Sequence, residues 1–331
     1  MSALHLESER DTGEEFFSDA ALTGTTYMYP AIQSSAAVAG LARETYAEWG
    51  LFQPDVPGSW LERRYTDAAS QFVDIDGTRV HYRDEGPRDA PVLLALHGVY
   101  SSLHTWDGWV DTLDDVRVVR LDLPGFGLTG PTADSEYSLP YYVAFLDAFC
   151  DVLGLEDVTV AGNSLGGAIA WRFAVAHPEQ VRRLCLLDAA RQEFLPPEVE
   201  WLTRPGFDVT LRYYTPRMLT RAILRDAYGD PAKLTDDIVR RYHDLLLRTG
   251  NRRAVITLAQ NATAAPFDPS AVPCPTLVQW GEEDDWLPLS LGQQFADEIP
   301  DARLRTYPGV GHVPMEEAPR DTAPDVAAFL R

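Results

Sequence analysis

The stretch Gly162-Asn163-Ser164-Leu165-Gly166 lies directly between an apolar run and a helix-like run. A G-x-S-x-G pattern in this position predicts a sharp turn from strand to helix, which exposes the serine hydroxyl above a sheet. The flanking glycines let the strained backbone fit against its neighbours, and the helix points its positive N-terminal end at the site. Ser164 is therefore the candidate nucleophile, and an ordinary glycine-rich turn is the structural alternative.

The segments around this turn alternate between strand-like and helix-like patterns. Unbroken apolar runs are typical of strands buried on both faces. Asp76-Gly77, between two β-prone runs, predicts a hairpin. The strand candidates are residues 71–75, 78–83, 91–96, 116–121, 157–161, 184–187 and 276–280, and the helix candidates are residues 139–153, 165–176, 216–228, 236–248, 293–299 and 321–330. The alternation predicts an α/β domain with a mostly parallel sheet.

One long segment, residues 190–267, contains no strand candidate, only helix-like stretches such as residues 216–228 and 236–248. We expect it to be a helical cap inserted into the α/β core, which then comprises residues 71–189 and 268–331.

Residues 1–70 form an N-terminal extension that precedes the regular pattern. We expect disorder in its first twenty residues, which are acidic and polar. Residues 46–51 and 60–65 carry enough apolar and aromatic side chains to pack on the core as helices.

Acidic residues far outnumber basic ones. The 331 residues include 50 Asp and Glu against 28 Lys and Arg, a net charge of −22, and Lys233 is the only lysine. Such a surface repels nucleic acid and anionic lipid, which argues against both as partners. Adaptation to high salt and a GC-rich genome that favours arginine codons are both open explanations of this composition.

The remaining composition is that of an ordinary globular protein, with 45% hydrophobic and 24% charged residues. No apolar run reaches the roughly 18 residues of a spanning helix, and the acidic N-terminus is not a recognisable secretory signal. The three cysteines, Cys150, Cys185 and Cys274, lack metal-like spacing, and Cys185 fits a small core residue. We therefore expect a cytoplasmic protein without a metal site.

A serine hydroxyl is a weak nucleophile and needs a neighbouring base. His312 lies beyond the last strand candidate, after the tight turn Gly309-Val310-Gly311, from which an imidazole can return over the sheet. His312 is the candidate base, and a buried loop histidine is the alternative. The other histidines fit this role less well because of their positions: His5, His81, His97, His104, His177 and His243.

The acid that orients the base should follow a strand and precede the histidine. Residues 282–285 read Glu-Glu-Asp-Asp after a strand candidate, and position alone does not separate the four carboxylates. Asp188 is a second possible place for the acid, although a strand-end side chain that bonds to loop amides is favoured there. A cation site at residues 282–285 is disfavoured because the alternating ligand spacing is absent.

The tetrahedral intermediate of acyl transfer needs two N–H donors. We expect one from Leu165, which follows the nucleophile, and assign the other to Val99 in the loop after residue 96. His97 in that loop is expected to be structural. Residues 125–130 fit the dinucleotide pattern G-x-G-x-x-G, but Pro131 follows and the next helix starts late, so a loop is expected there.

Five motifs occur together in the order that one enzyme superfamily requires: His97-Gly98, Asp122-Leu123-Pro124-Gly125-Phe126-Gly127, Gly162-Asn163-Ser164-Leu165-Gly166-Gly167, Trp280-Gly281-x-x-Asp284 and Gly311-His312. Through them the chain resembles the α/β-hydrolase superfamily over about residues 70–331. The resemblance implies an eight-stranded, mostly parallel sheet, a helical cap after the sixth strand, Asp284 as the acid and no bound cofactor. Haloalkane dehalogenases and epoxide hydrolases carry aspartate in place of Ser164, which excludes both activities.

These residues predict a serine hydrolase that cleaves a small carboxylic ester or lactone through an acyl-enzyme. The alternatives are a C–C bond hydrolase or a cofactor-free perhydrolase with the same triad, and a non-catalytic ligand receptor on the same fold. The sequence does not predict the oligomeric state.

Overall fold

The computed structural model describes residues 53–191, 212–261 and 268–331. The strands are β1 (Ser70–Ile75), β2 (Thr78–Glu85), β3 (Val92–Leu96), β4 (Arg117–Leu121), β5 (Val158–Asn163), β6 (Val181–Leu187), β7 (Thr276–Gly281) and β8 (Ala302–Tyr307). The α-helices are α1 (Gly58–Tyr65), α2 (Asp107–Val110), α3 (Leu139–Leu153), α4 (Leu165–Ala176), α5 (Arg217–Ala227), α6 (Asp236–Leu246), α7 (Asn251–Asn261), α8 (Leu289–Glu298), α9 (Pro314–Glu317) and α10 (Pro319–Leu330).

The eight strands form one sheet in the order β1-β2-β4-β3-β5-β6-β7-β8. The β1–β2 hairpin turns at Asp76 and Gly77, whose φ angles of 50° and 81° are the positive values that a tight two-residue turn requires. β2 also pairs antiparallel with β4, whereas every pair from β4 to β8 is parallel. The prediction of an α/β fold with a mostly parallel eight-stranded sheet is confirmed.

The site is positioned by the carboxyl ends of the central strands. β3 lies between β4 and β5, so the order of the strands reverses here, and ligands of open α/β sheets bind outside such a point. The loops that leave β3, β5, β6 and β7 at this edge carry Gly98, Ser164, Asp188 and Asp284, respectively. These four residues are far apart in the sequence but lie in loops that begin at the same edge of the sheet.

Two strands differ from the pattern of apolar runs. β6 begins at Val181, before the predicted run at residue 184, because the exposed Arg182 interrupts its apolar pattern. β8 gave no apolar run, since it lies at the edge of the sheet and its side chains are only alternately protected from solvent until the buried Tyr307. Apolar runs identify strands that are covered on both faces, which edge strands are not.

The helices of the core match the sequence pattern closely. α3 and α4 have the predicted bounds, and α3 begins after Ser138, whose hydroxyl accepts a hydrogen bond from the Tyr141 amide. α8 and α10 begin earlier than predicted, at Leu289 and Pro319, because each starts beside a proline, which the first turn of a helix tolerates.

Between β6 and β7 the described residues hold α5, α6 and α7. Helix α1 packs against this region: Leu61 is fully buried in a cluster that includes Leu128 from the core and Leu245 from α6. Residues 60–65 thus contact both parts of the chain. Residues 46–51 and the first twenty residues lie outside the described part, and the proposed boundaries of extension, core and cap stay a prediction.

No helix of the described residues has the length and apolar character needed to cross a membrane. All three cysteines are buried with free thiols, and Cys185 is fully enclosed in the core, as the sequence predicted.

Candidate active site

Ser164 occupies a strained turn between β5 and α4. Its φ of 53° and ψ of −116° lie outside the usual regions for a non-glycine residue, and its side chain is partly exposed. The turn is held by hydrogen bonds from the Ser164 amide to Leu187 O (3.1 Å) and from the Ala190 amide to Ser164 O (3.0 Å). Strain of this kind persists only where the surrounding structure enforces it, as it does here.

Glycines make this turn possible. A Cβ at Gly162 would overlap the carbonyl oxygen of Gly166, and a Cβ at Gly166 would overlap that of Leu96. The backbones of β3, β5 and α4 therefore approach each other more closely than any side chain permits. This is the physical reason for the G-x-S-x-G pattern around Ser164.

The loop after β3 lies against the serine. A Cβ at Gly98 would stand 3.0 Å from the Ser164 Cβ, and Tyr100 has a positive φ of 64°. In the hydrogen-bond network of the described residues, neither the Val99 amide nor the Leu165 amide donates to a protein acceptor. Both predicted oxyanion donors thus keep an available N–H, one beside Gly98 and one directly after the serine.

His97 supports this loop as a neutral structural residue. Its Nε2 accepts a hydrogen bond from the Leu123 amide (3.0 Å), so its proton is on Nδ1, which donates to Gly98 O (2.7 Å). Complete burial lowers the pKa of His97, although the charge of Asp122 opposes this effect. The geometry agrees with the structural role that the sequence predicted for His97.

His312 and Asp284 form a buried hydrogen-bonded pair. Asp284 Oδ2 lies 2.8 Å from His312 Nδ1, and Asp284 Oδ1 accepts the amides of Trp286 (2.9 Å) and Leu287 (3.0 Å). Burial of Asp284 opposes its ionisation, but the interaction with His312 outweighs this and holds the pKa of the carboxyl below its usual value. An ionised Asp284 fixes the proton of His312 on Nδ1 and leaves Nε2 free to act as a base.

The side chain of Asn163 connects the histidine to the nucleophile. Asn163 Nδ2 donates to His312 O (2.9 Å) and to Leu187 O (3.1 Å), which ties the His312 backbone to the residue directly before Ser164. The hydrogen bonds of the described residues include none between the Ser164 hydroxyl and the His312 ring. In enzymes without substrate this bond is often long and closes only when substrate binds.

The loop that carries His312 is fixed by a buried carboxylate. Glu317 accepts hydrogen bonds from the amides of Gly311 (2.8 Å), Gly229 (3.1 Å) and Asp230 (2.7 Å). The sequence analysis missed Glu317, because a glutamate in a short helix carries no signal of its distant amide partners.

A second network joins α6 to the loop after β3. The Tyr242 hydroxyl donates to Glu316 Oε2 (2.6 Å) and lies 3.1 Å from Ser101 Oγ, and Thr105 Oγ1 donates to the same glutamate (2.9 Å). Arg241 also bonds to Glu316. Because Ser101 lies two residues after Val99, the inserted helices contact the loop that holds the predicted oxyanion donor; the sequence analysis did not predict this link.

Two features of this region resemble metal or cofactor sites. In the described part of the chain, Asp188, Asp284 and His312 bring potential ligand atoms within 4.8 Å of one another. Asp284 and His312 are already hydrogen-bonded to each other, and Asp188 Oδ1 accepts the Gly281 amide. Residues 125–130 form a loop closed by a hydrogen bond from the Gly125 amide to Gly130 O (2.7 Å), without the helix that a dinucleotide site needs.

Comparisons with known proteins identify the family of the chain. A family model described as "Alpha/beta hydrolase family" matches residues 92–326. A 2-hydroxymuconate semialdehyde hydrolase of Pseudomonas putida is 31% identical over 252 residues, which cover 71% of this chain and 85% of the relative. The enzyme of the same name from Pseudomonas sp. strain CF600 is 28% identical, covering 77% of this chain and 91% of the relative.

Among solved structures, the meta-cleavage product hydrolase from Pseudomonas fluorescens superimposes with a TM-score of 0.68 at 25% identity, covering 78% of this chain and 96% of that protein. The family match covers most of the chain and includes all the strands from β3 to β8. The chain therefore belongs to the alpha/beta hydrolase family, and it is a hydrolase.

Proposed function

We propose that the protein is a serine hydrolase that cleaves a carboxylic ester or lactone through an acyl-enzyme. Ser164 is the nucleophile, His312 the general base and acid, and Asp284 the residue that orients and stabilises the imidazole. The observation that carries the proposal is the 2.8 Å hydrogen bond between His312 and Asp284, on a loop tied by Asn163 to the nucleophile turn.

In the first half-reaction the Ser164 oxygen attacks the substrate carbonyl carbon while its proton moves to His312 Nε2. The resulting imidazolium is stabilised by ionised Asp284 and returns the proton to the departing alcohol oxygen. In the second half-reaction His312 takes a proton from water, the hydroxide attacks the acyl carbon, and the proton returns to Ser164. The acid product and the free enzyme are left.

The amides of Val99 and Leu165 are proposed to bind the oxyanion. Backbone N–H groups aimed at the developing charge need no rearrangement during the reaction, and one such donor is worth about 10²–10³ in kcat. Support comes from the close approach of Gly98, which precedes Val99, to Ser164 and from the place of Leu165 directly after the serine. Neither amide has a competing protein acceptor among the described residues.

A C–C bond hydrolase is the second candidate, and the sequence relatives favour it. Their named substrate, 2-hydroxymuconate semialdehyde, contains an enol, a carboxylate and an aldehyde but no ester. Its hydrolysis must therefore break a C–C bond beside the carbonyl, and the leaving carbon needs a proton from the enzyme. Ser164, His312 and Asp284 suit this chemistry as well as ester hydrolysis. The two candidate activities are therefore distinguished by measuring which substrate the protein prefers.

The nucleophile is tested with a fluorophosphonate probe, which phosphonylates activated serines. We expect mass spectrometry to locate the probe on Ser164, and Ser164→Ala to prevent labelling. Ser138→Ala is the matched control, because it removes a serine hydroxyl from the N-cap of α3 and should leave labelling intact. A wild-type protein that is unlabelled, or labelled at another serine, contradicts the proposal.

The substrate class is tested with a panel of short aryl esters, lactones and 2-hydroxymuconate semialdehyde, assayed at low and high salt. A higher kcat/KM for esters or lactones supports the first candidate, and a higher value for the semialdehyde supports the second. Perhydrolysis with added peroxide identifies a perhydrolase, and ligand binding without any turnover identifies a receptor. A rise of activity with salt favours the halophilic explanation of the acidic surface.

A further inference from the structure

Asp188 lies beside the proposed catalytic pair but has no role in the mechanism above. It follows β6 just as Asp284 follows the neighbouring parallel strand β7, so both carboxyls start from the same edge of the sheet. Asp188 is fully buried, and its Oδ1 accepts the Gly281 amide (3.0 Å), as expected for a strand-end side chain. From the sequence, Asp188 is an alternative position for the acid, whereas in the structure the two carboxyls lie in one group.

The distances bring three titratable side chains into one group. One carboxyl oxygen each of Asp188 and Asp284 and a ring nitrogen of His312 all lie within 4.8 Å of one another. The other titratable group that acts on Asp188 is Glu317, which is also acidic. Two carboxylates at this distance in a buried site cannot both be ionised without a large electrostatic cost.

The hydrogen bonds decide which carboxyl is ionised. Asp284 has partners for both oxygens, namely His312 and the amides of Trp286 and Leu287. Asp188 Oδ2, in contrast, is buried without a hydrogen-bond partner in the described residues. A carboxylate oxygen without a donor is costly in such a place, whereas a carboxylic acid brings its own proton to a neighbouring acceptor.

The titration behaviour agrees with this geometry. Burial and the charge of Asp284 raise the pKa of Asp188 well above its usual value, and Glu317 adds to the effect. The pKa of Asp284 is shifted in the opposite direction. Paired carboxyls whose environments push their pKa values apart are typical of sites where one of them must stay protonated.

We propose that Asp188 is a positioning residue that holds a proton towards Asp284, keeps a single negative charge beside His312, and takes over as the partner carboxylate when Asp284 is neutralised. This inference rests on the proposed serine mechanism. It predicts a relay with two acids, one ionised and one in reserve. Replacing Asp284 alone then leaves the imidazole with a carboxylate, because removal of the Asp284 charge allows Asp188 to ionise.

The experiment measures the rate at which the fluorophosphonate probe labels Ser164 in Asp188→Asn, Asp284→Asn and the double variant. Asn at position 188 keeps an acceptor for Gly281 and donates from its NH2 as the protonated acid does, so we expect a rate within about threefold of wild type. Loss of the acid from a triad without a reserve costs about 10⁴-fold. We expect that loss only in the double variant and a loss of about 10–100-fold in Asp284→Asn.

The pH profile separates this role from a merely structural one. In Asp284→Asn the labelling rate should show an additional rise as Asp188 loses its proton, and the double variant should lack that rise. If Asp284→Asn is as slow as the double variant at every pH, the inference is wrong. Absence of wild-type labelling at Ser164 instead contradicts the proposed function, so the two failures are distinguishable.

A second measurement uses the wild-type protein and does not depend on whether the variants fold. In a crystal structure at atomic resolution a protonated carboxyl has unequal C–O bond lengths and an ionised one has equal lengths. We expect unequal bonds in Asp188 and equal bonds in Asp284. Equal bonds in Asp188 overturn the inference.

Discussion

The described residues contain two buried histidine–aspartate pairs with the same distance between ring nitrogen and carboxyl oxygen. His81 Nδ1 lies 2.8 Å from Asp122 Oδ2, and His312 Nδ1 lies 2.8 Å from Asp284 Oδ2. Each aspartate also accepts two backbone amides; for Asp122 these are Leu103 (2.8 Å) and Leu128 (2.7 Å). The hydrogen bond between ring and carboxylate therefore does not by itself distinguish a catalytic pair from a structural one.

The two pairs differ in the part of the molecule that each histidine adjoins. His81 Nε2 is enclosed without a hydrogen-bond partner in the described residues, and the ring packs at 5.1 Å from that of Phe72. His312 belongs to a loop tied to the strained turn of the partly exposed Ser164. Within the described part of the chain, the first pair has no such link to a partly exposed serine, and this difference is the basis for proposing chemistry at the second.

The largest expected effect comes from replacing each of the two histidines, His312 and His81, with asparagine. His312→Asn should lower the rate of probe labelling and turnover by at least about 10⁴-fold, because loss of the base of a serine triad removes the proton acceptor. Its melting temperature should also fall, because the replacement breaks a buried hydrogen bond to Asp284. His81→Asn should lower the melting temperature as well, while the activity per folded molecule stays near that of wild type.

Activity and melting temperature measured on both variants test the comparison directly. If His81→Asn also abolishes labelling while the protein stays folded, the first pair belongs to the chemistry and its structural assignment is wrong.

The next effect concerns the stability that the first pair supplies. Burial opposes ionisation of Asp122, but His81 and its hydrogen bond outweigh this and hold the pKa of the carboxyl well below its usual value of 3.8. Asp122→Asn should lower the free energy of unfolding by about 1.5–3 kcal/mol, the value of a hydrogen bond to a charged group. Equilibrium unfolding in urea measures this loss, and kcat should be unchanged.

The interaction between His81 and Asp122 should also make the stability of the protein depend on pH. Because the pKa of Asp122 is lower in the folded state, its contribution is complete above the unfolded value of 3.8 and is lost as the pH falls towards the folded value. Wild-type stability should therefore fall more steeply than that of Asp122→Asn as the pH drops below about 4. Parallel slopes for the two proteins contradict this account.

Much of this architecture was predictable because local sequence patterns reflect local interactions such as burial and turn geometry. The buried central strands gave apolar runs, and the turn at Ser164 required glycines that the sequence displays around it. The edge strand β8 gave no such run, because half of its side chains face solvent. Residue patterns thus place each proposed catalytic side chain to within one loop.

The interactions among those side chains were not predictable in the same way. Glu316 and Tyr242 are bonded although 74 positions separate them, and Asp188 and the Gly281 amide are separated by 93. Such contacts depend on strand order and on loop paths, which a single sequence does not encode locally. The acid itself was selected as Asp284 through a family resemblance, since the sequence offered four neighbouring carboxylates.

The smallest expected effect concerns the helices between β6 and β7 and their influence on the reaction proposed for His312 and Asp284. The Tyr242 hydroxyl gives its proton to Glu316, so Ser101, two residues after Val99, must donate to Tyr242 across the 3.1 Å contact. Tyr242→Phe removes the acceptor for Ser101, and one neutral hydrogen bond is worth about 0.5–1.5 kcal/mol. We expect kcat to fall about 3–10-fold, with KM and melting temperature nearly unchanged.

Tyr65→Phe is the matched control for this prediction. It removes the hydrogen bond that the Tyr65 hydroxyl donates to Asp244 of helix α6 (2.7 Å). Like Tyr242→Phe, it breaks a tyrosine–carboxylate bond that involves α6, but it breaks no hydroxyl bond to the loop after β3. If both variants lower kcat equally, the effect comes from the stability of α6. If only Tyr242→Phe lowers kcat, the helices between β6 and β7 hold the loop that carries Val99 in place. The His81–Asp122 pair has no hydrogen bond to those helices in the described residues.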